Sequence, residues 1–228
     1  AALCQLYPGY VGTLRRYVRT LTQRNALLKK YHAIYEAEEQ LAGFDEQLAA
    51  AGEEITRRRA EYLAVAAPQA QRIYDEISGG AEQMEIAFLP CCAPGELADE
   101  LRKSRSTDVR AGVSTTGPHR EDFETTINGT SARAFGSQGQ QRSAVLALKL
   151  AEAATAKEVT GEHPVMLLDD VLSELDEVRQ AYLLGRMSGK QTFVTACDTA
   201  AFGRTAGKIV VVKEGRIKTV NNGSVDSE

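Results

Sequence analysis

The heptapeptide Pro164-Val165-Met166-Leu167-Leu168-Asp169-Asp170 constrains the fold more than any other stretch of this chain. Its apolar run is too short for a helix and shows no polar alternation. It predicts a strand covered on both faces, as in a parallel sheet. Parallel strands need long crossovers, usually helical, and the flanking pattern supplies them. A helical periodicity runs over about 140–159, a second helix is expected at about 177–187, and a short strand at 192–195. A helix-like segment and a hairpin (209–212 and 217–220, turned at Glu214-Gly215) complete this part. The alternation implies an α/β class, with a parallel or mixed sheet covered by helices.

Upstream the texture differs. Leu14, Val18, Leu21, Leu28, Tyr31 and Tyr35 mark one helical stripe. Leu41, Phe44, Leu48, Ile55, Tyr62, Val65 and Ile73 mark a second, on one helix or a pair. Pro68 is expected to end or kink it, because proline lacks the amide donor and crowds the preceding turn. Successive apolar stripes suggest an antiparallel helical arm over 1–79, with 80–228 forming the α/β lobe. In that lobe 84–89 reads as a strand closed by Pro90, and 91–111 as irregular, partly helical near 96–103. Residues 113–117 and 122–127 read as strands, the second turning at Asn128-Gly129.

Charge is unevenly placed. Residues 1–35 carry Arg15, Arg16, Arg19, Arg24, Lys29 and Lys30 and no acid, whereas 36–54 carry seven acids and no base. Either a basic helix lies beside an acidic one or the basic helix meets nucleic-acid phosphates, and the two can coexist. Arg15, Arg16, Arg19, Lys29 and Lys30 are the candidates for DNA contact. A net charge of −4 argues against a wholesale nucleic-acid coat. With 43% apolar and 25% charged residues, disorder and a pure coiled coil are excluded. No apolar run approaches the ~18–20 residues of a membrane span. The N-terminus has no signal-peptide pattern, and its missing initiator Met leads us to expect a fragment or a processed chain. Cys4, Cys91, Cys92 and Cys197 make no metal spacing, so reduced thiols in a cytoplasmic protein are expected.

Three segments carry chemistry. Paired acids at the carboxyl end of a strand repel each other. Asp169 and Asp170 therefore suggest a compensating cation, and Mg²⁺ takes oxygen ligands while keeping several waters. The plainer reading is an exposed acidic turn. Second, Phe135-Gly136-Ser137-Gln138-Gly139-Gln140-Gln141-Arg142 opens the long helix. Free amides at a helix N-terminus, a hydroxyl and a glycine can make an anion site. A simple cap by Ser137 is the alternative. Third, Ser173-Glu174-Leu175-Asp176 follows the acids closely and is either a helix cap or a functional loop. His119 is expected to order a turn with Arg120 rather than to transfer protons.

In this order the three segments resemble the signature motif, Walker B strand and D-loop of the C-terminal half of an ABC-type ATPase. The wording resembles one family more closely. Ser114-Thr115-Thr116-Gly117-Pro118-His119-Arg120-Glu121-Asp122-Phe123, Ala134 to Arg142, Leu167 to Asp176 and Gln191 to Thr195 are similar to the RecF family of DNA replication and repair proteins. Leu6-Tyr7-Pro8-Gly9-Tyr10 and Thr22 to Lys29 are similar to its helical arm, so the resemblance covers nearly the whole chain.

That resemblance implies the C-terminal lobe of an SMC-like P-loop ATPase head with a short arm. It implies ATP and Mg²⁺ as cofactors, an ATP-dependent homodimer, DNA at single-strand/double-strand gaps, and RecO and RecR as partners. The expected roles are DNA replication, recombination, SOS-linked repair and recombinase loading. Ser137, Gln138, Gly139 and Gln140 would form the signature facing the γ-phosphate of ATP held by the opposite subunit. Asp169 would hold the Mg²⁺ shell, Asp170 would be the catalytic carboxylate, and Ser173 and Asp176 would lie at the dimer interface. Two departures follow. No G-x-x-x-x-G-K-[ST] string occurs; Gly185 to Thr192 has the wrong spacing and precedes a strand. A Walker A lobe is therefore expected N-terminal to this sequence, and the chain alone is expected not to hydrolyse ATP. After Thr195 come Ala196-Cys197-Asp198 instead of the His many ABC proteins use, which implies slow hydrolysis in the parent. Another SMC-like head, or an interaction module binding DNA without nucleotide, are the competing readings. A Ser137 hydrolase fails for want of a nucleophile elbow and a triad histidine.

Overall fold

Three helices open the chain: α1 (Ala2–Leu6), α2 (Tyr10–Lys30) and α3 (Glu38–Ser78). The computed structural model describes residues 2–31, 38–197, 202 and 207–223. The stripe marked on α3 is largely buried, through Leu41, Leu48, Ile55 and Ile73. The stripe marked on α2 is displaced: Leu28 is buried, but Val18 is 50% exposed, and the helix buries Tyr10, Thr13, Tyr17, Thr20 and Arg24, polar or aromatic positions that an aliphatic stripe does not register. Tyr10 and Tyr17 pack with Leu48 and Ile55, while Leu28 packs with Leu41. Low positions on α2 meet high positions on α3, so the pair is antiparallel. α3 does not stop at Pro68; it runs unbroken for 41 residues. An interior proline costs ~3 kcal/mol and one hydrogen bond. Burial of Ala66, Ala70, Ile73, Tyr74 and Ile77 around and beyond it offsets that cost.

Strand β1 (Met84–Leu89) then leads to α4 (Leu97–Ala111), which is longer than the partial helix expected at 96–103. Its stripe passes through polar residues: Leu97 and Leu101 are followed by buried Arg105 and Asp108 before Val109. An apolar-periodicity reading does not register those charges. Gly52 of α3 lets α4 come close, since a Cβ there would sit 2.4 Å from Leu97 Cδ2. No strand forms at 113–117. The Ser114 amide donates to Asn25 Oδ1 (2.8 Å) and the Thr115 amide to Asp108 Oδ1 (2.8 Å), so side chains take the donors a ladder would use. A single 3-10 turn, Pro118–Arg120, follows.

β2 (Asp122–Ile127) pairs antiparallel with β1 from Met84↔Ile127 to Leu89↔Asp122, and β3 (Thr130–Ser131) adds a short edge. Asn128 (φ 50°) and Gly129 (φ 76°) make the expected tight turn. Next come α5 (Ala132–Phe135) and the long α6 (Gln138–Thr160), which packs along α3. Residues Ala1–Glu162 form one compact unit and His163–Glu228 a second. The expected arm boundary near 79 lies inside the first, because α3 serves both the arm and the packing of α6.

In the second unit β4 (Met166–Asp169) and β5 (Thr192–Thr195) pair in parallel, joined through α7 (Glu177–Gly185) as the crossover requires. β6 (Gly207–Lys213) and β7 (Arg216–Gly223) form the C-terminal hairpin, turned at Glu214 and Gly215. The helix-like segment expected after 195 falls almost wholly outside the described residues. Among the described residues β4 is not covered on both faces. Met166 is buried, but Leu167 is 76% exposed and its register partner Phe193 is 58% exposed. A two-stranded sheet alternates inward and outward positions even when both are apolar.

Candidate functional site

Ser137 is the N-cap of α6, and the cap is reciprocal. Its Oγ accepts from the Gln140 amide (3.2 Å), and Gln140 Oε1 accepts from the Ser137 amide (2.9 Å). The hydroxyl proton of Ser137 is left without an acceptor among the described residues, and the side chain is exposed. The loop before it is packed tightly: a Cβ on Gly136 would lie 2.5 Å from the Ala132 carbonyl oxygen. Gln141 Nε2 donates to the carbonyls of Ala132 (3.0 Å) and Gly136 (3.2 Å), tying α5 to α6. The first turn is thus rigid, and at a helix N-terminus its partial positive charge favours an anion.

Gln140, named from the sequence as a phosphate contact, has both ends of its amide engaged. Nε2 donates to Glu82 Oε1 (2.7 Å) while Oε1 holds the Ser137 amide. It positions Ser137 through its side chain. Gln138 and Gly139 belong to the same first turn, and Gly139 also accepts from the Ser143 hydroxyl (2.8 Å).

The twin aspartates stand at the carboxyl end of β4, both exposed. Thr195, the register partner of Asp169, donates its hydroxyl to Asp169 Oδ1 and accepts the Asp170 amide (3.0 Å). Asp170 is left-handed (φ 50°, ψ 23°), a conformation uncommon outside glycine. Its carbonyl accepts from Ser173 Oγ (2.8 Å), and its carboxylate has no partner among the described residues. Strained backbone of this kind recurs at functional sites. Among the described residues no group of three or more His, Cys, Asp or Glu could hold a metal by itself. Two exposed carboxylates instead suit Mg²⁺, which takes one or two protein oxygens and completes its shell from phosphate and water. Thr195 was missed from the sequence, although its place at the end of the next strand could have signalled it.

Asp176 caps α7: its Oδ1 accepts from the Arg179 amide (2.9 Å) and it pairs with the Arg179 guanidinium. That amide bond, with the guanidinium charge, holds its carboxyl below the usual range. Ser173 serves the turn after Asp170, as above.

The arm cations divide sharply. Arg15, Arg16, Arg19, Lys29 and Lys30 are exposed, and none forms an ion pair among the described residues. Arg16, Arg19 and Gln23 line a groove of about 490 Å³ against Gln47 of α3. Among the described residues, the idea that the basic helix neutralises itself on its acidic neighbour holds only for Arg24. That residue is fully buried and reaches Asp45 (2.8 Å), Asp108 (2.7 Å) and Ser114 Oγ (2.7 Å). Arg105 takes the second oxygen of Asp45 (2.7 Å).

His119 orders its turn. Nδ1 meets the Tyr17 hydroxyl (2.7 Å) and Nε2 the Ser114 carbonyl (3.0 Å), which fixes Nε2–H as the donor. Burial pushes the imidazole below its usual value and the Tyr17 phenol above its own. Cys91 and Cys92 are unbridged, with sulfurs 3.7 Å apart, and burial pushes the Cys91 thiol up to about 12. Among the described residues no helix is long and apolar enough to cross a membrane.

No family model matches the chain. Curated relatives do. The DNA replication and repair protein RecF of Rippkaea orientalis is 41% identical over 238 residues, covering 94% of this chain and 63% of its own length. That of Clostridium kluyveri is 37% identical over 226 residues, covering 96% and 62%. The chain spans about three fifths of the length of these relatives. Two solved structures are similar over most of it. The recombination mediator protein RecF-ATPrS of the RecFOR pathway has a TM-score of 0.81 at 36% identity, covering 93% of this chain and 59% of that one. The corresponding RecF-ATP structure has a TM-score of 0.78 at 37% identity, covering 88% and 56%.

Proposed function

The chain belongs to the RecF family of DNA replication and repair proteins, and from that premise we propose that it supplies one half of an ATP-gated DNA clamp. The observation that carries this reading is the uncommitted Ser137 hydroxyl, held rigidly at the N-terminus of α6. Ser137 and the first-turn amides would meet the γ-phosphate of ATP bound to an opposing subunit. Asp169, oriented by Thr195, would hold the water shell of Mg²⁺, and Asp170 would orient the attacking water. When bound, the cation would offset the phosphate charge between the subunits. Ser173 and Asp176 would line that interface. The arm (1–79) and the lobe (80–228) would act with a Walker A lobe that carries the phosphate cradle. The nucleotide's role is then a slow timer for a homodimer rather than fast turnover.

DNA is the proposed partner of the arm, through Arg15, Arg16, Arg19, Lys29 and Lys30. RecO and RecR, a gapped duplex, recombinase loading and a cytoplasmic location complete the proposal. Reversing Arg15, Arg16 and Arg19 to Glu is expected to weaken DNA binding and to flatten its logarithmic salt dependence by about 2–3. An unchanged slope removes the arm from the DNA site. ATP supplied with the Walker A lobe should raise DNA affinity; affinity indifferent to ATP would favour the nucleotide-independent module. The chain by itself is expected to show no ATPase turnover above an Asp170→Ala control.

A further inference from the structure

Glu82 was not singled out by the sequence, and its partners are distant in the chain. One carboxylate oxygen accepts from Gln140 Nε2 (2.7 Å) and the other from the Tyr74 hydroxyl (2.6 Å). Tyr74 is fully buried on α3. Gln140 in turn holds the Ser137 amide on Oε1 (2.9 Å). A line of hydrogen bonds therefore runs from the arm helix to the loop that opens α6.

The line has a single sense. A carboxylate only accepts, so the Gln140 amide must offer its NH₂ to Glu82, which leaves its oxygen for Ser137. A capping box needs only the reciprocal bonds between Ser137 and Gln140. The bonds to Glu82 and from Tyr74 are additional, and they bring in a second element. That element is the unbroken α3, whose other end packs against the basic α2. α3 and α6 are further clamped by Gln69, whose Nε2 donates to Glu158 (2.7 Å). A displacement of the arm would reach Tyr74 as movement of one rod.

We propose that Glu82 is a positioning residue that couples the arm to Ser137, so that DNA on the arm and nucleotide phosphate at the α6 N-terminus bias one another through Tyr74, Glu82 and Gln140. The inference rests on the reading above that these two places bind DNA and ATP. Binding linkage is reciprocal, so ATP must tighten DNA by the same factor that DNA tightens ATP.

The test uses the full-length protein, a duplex oligonucleotide with a single-strand gap, and a non-hydrolysable ATP analogue. The quantity read is the ratio of DNA dissociation constants without and with nucleotide. Tyr74→Phe deletes one oxygen and cuts the arm-side bond. Glu82→Gln keeps the volume but turns one acceptor into a donor. Both variants should lower the ratio by at least about three-fold toward one, leaving DNA affinity without nucleotide unchanged. They should also speed hydrogen exchange at the Ser137 amide. A purely structural role would lower the melting temperature and leave the ratio alone. A wild-type ratio retained in both variants, or unchanged exchange at Ser137, overturns the coupling and leaves the clamp reading standing. A ratio of one in the wild type overturns the clamp reading and the coupling with it.

Discussion

The charges buried inside the first unit and the charges at the end of β4 are held in opposite ways. Asp45 and Asp108 are buried, and all four of their carboxylate oxygens accept from their own chain: from Arg24, Arg105, Ser104 and Thr115. Asp169 and Asp170 are exposed, and among the described residues only Oδ1 of Asp169 has a partner. A carboxylate saturated by its own chain is consumed in folding. One that keeps free lone pairs at a strand end can serve a cation. The contrast gives a physical reason to divide the acidic residues into structural and functional sets, and it can be broken by substitution.

The largest effect is expected where a buried charge loses its counter-charge. Arg24→Leu or Asp108→Ala should cost about 3–5 kcal/mol in urea unfolding, since each strands a partner with no water to replace the bond. Asp169→Asn, by contrast, should move stability by no more than about 0.5 kcal/mol. Equal costs at the two places would abolish the distinction.

Ser137 comes next, because it belongs to both sets. Ser137→Ala removes the cap and should cost about 1 kcal/mol, whereas Ser137→Gly should cost only a few tenths. Thermal unfolding separates the two. Sedimentation with ATP and the Walker A lobe present supplies the second reading: if the hydroxyl meets a phosphate, both variants lose ATP-dependent dimerisation alike. Dimerisation that follows the ranking of stability would make Ser137 a cap and nothing more.

The same division explains what the sequence disclosed. The α3 stripe, the parallel pairing of β4 with β5 and both tight turns were legible, because each follows from local periodicity or turn chemistry. The buried face of α2 was not, because it runs through Thr13, Thr20 and Arg24 rather than through the aliphatic positions. The full length of α4 was not, since its buried stripe passes through Arg105 and Asp108, whose partners lie on other helices. The loop at 113–117 has strand-like composition but gives its donors to Asn25 and Asp108. Pro68 inside α3 shows tertiary burial outweighing a local rule. At the candidate site Ser137, Asp169 and Asp170 stood out as candidates by type and spacing. Glu82, Gln141 and Thr195 did not, because their role is defined by hydrogen-bond partners brought near only by the fold.

Asp170 offers a smaller contrast. Its left-handed backbone suits glycine, so Asp170→Gly should leave stability unchanged or raise it by up to about 1 kcal/mol. If Asp170 orients the attacking water as proposed, the same change abolishes ATP hydrolysis measured with the Walker A lobe supplied. A stability loss larger than that would mean the carboxylate supports the fold after all.

The smallest effect concerns His119, which tests whether the interior of the first unit tolerates a new charge. Burial is the main cause of its lowered proton affinity; the neighbouring Arg120 and Arg24 act in the same direction, against the Ser114 carbonyl and Asp108. The unfolded imidazole binds its proton near the ordinary value of 6.5, and the folded one resists it until lower pH. In that window the unfolded state carries more protons, so acid favours unfolding. The stabilising contribution is complete above the ordinary value and is lost as pH falls through the folded one. His119→Asn removes the titration while keeping a polar group beside Tyr17. Urea midpoints taken from about pH 7 to about pH 5 should therefore fall less steeply for the variant than for the wild type. Parallel profiles would mean that the Tyr17–His119–Ser114 line accepts a proton at no cost, and that the buried polar network of the first unit is looser than its hydrogen bonds imply.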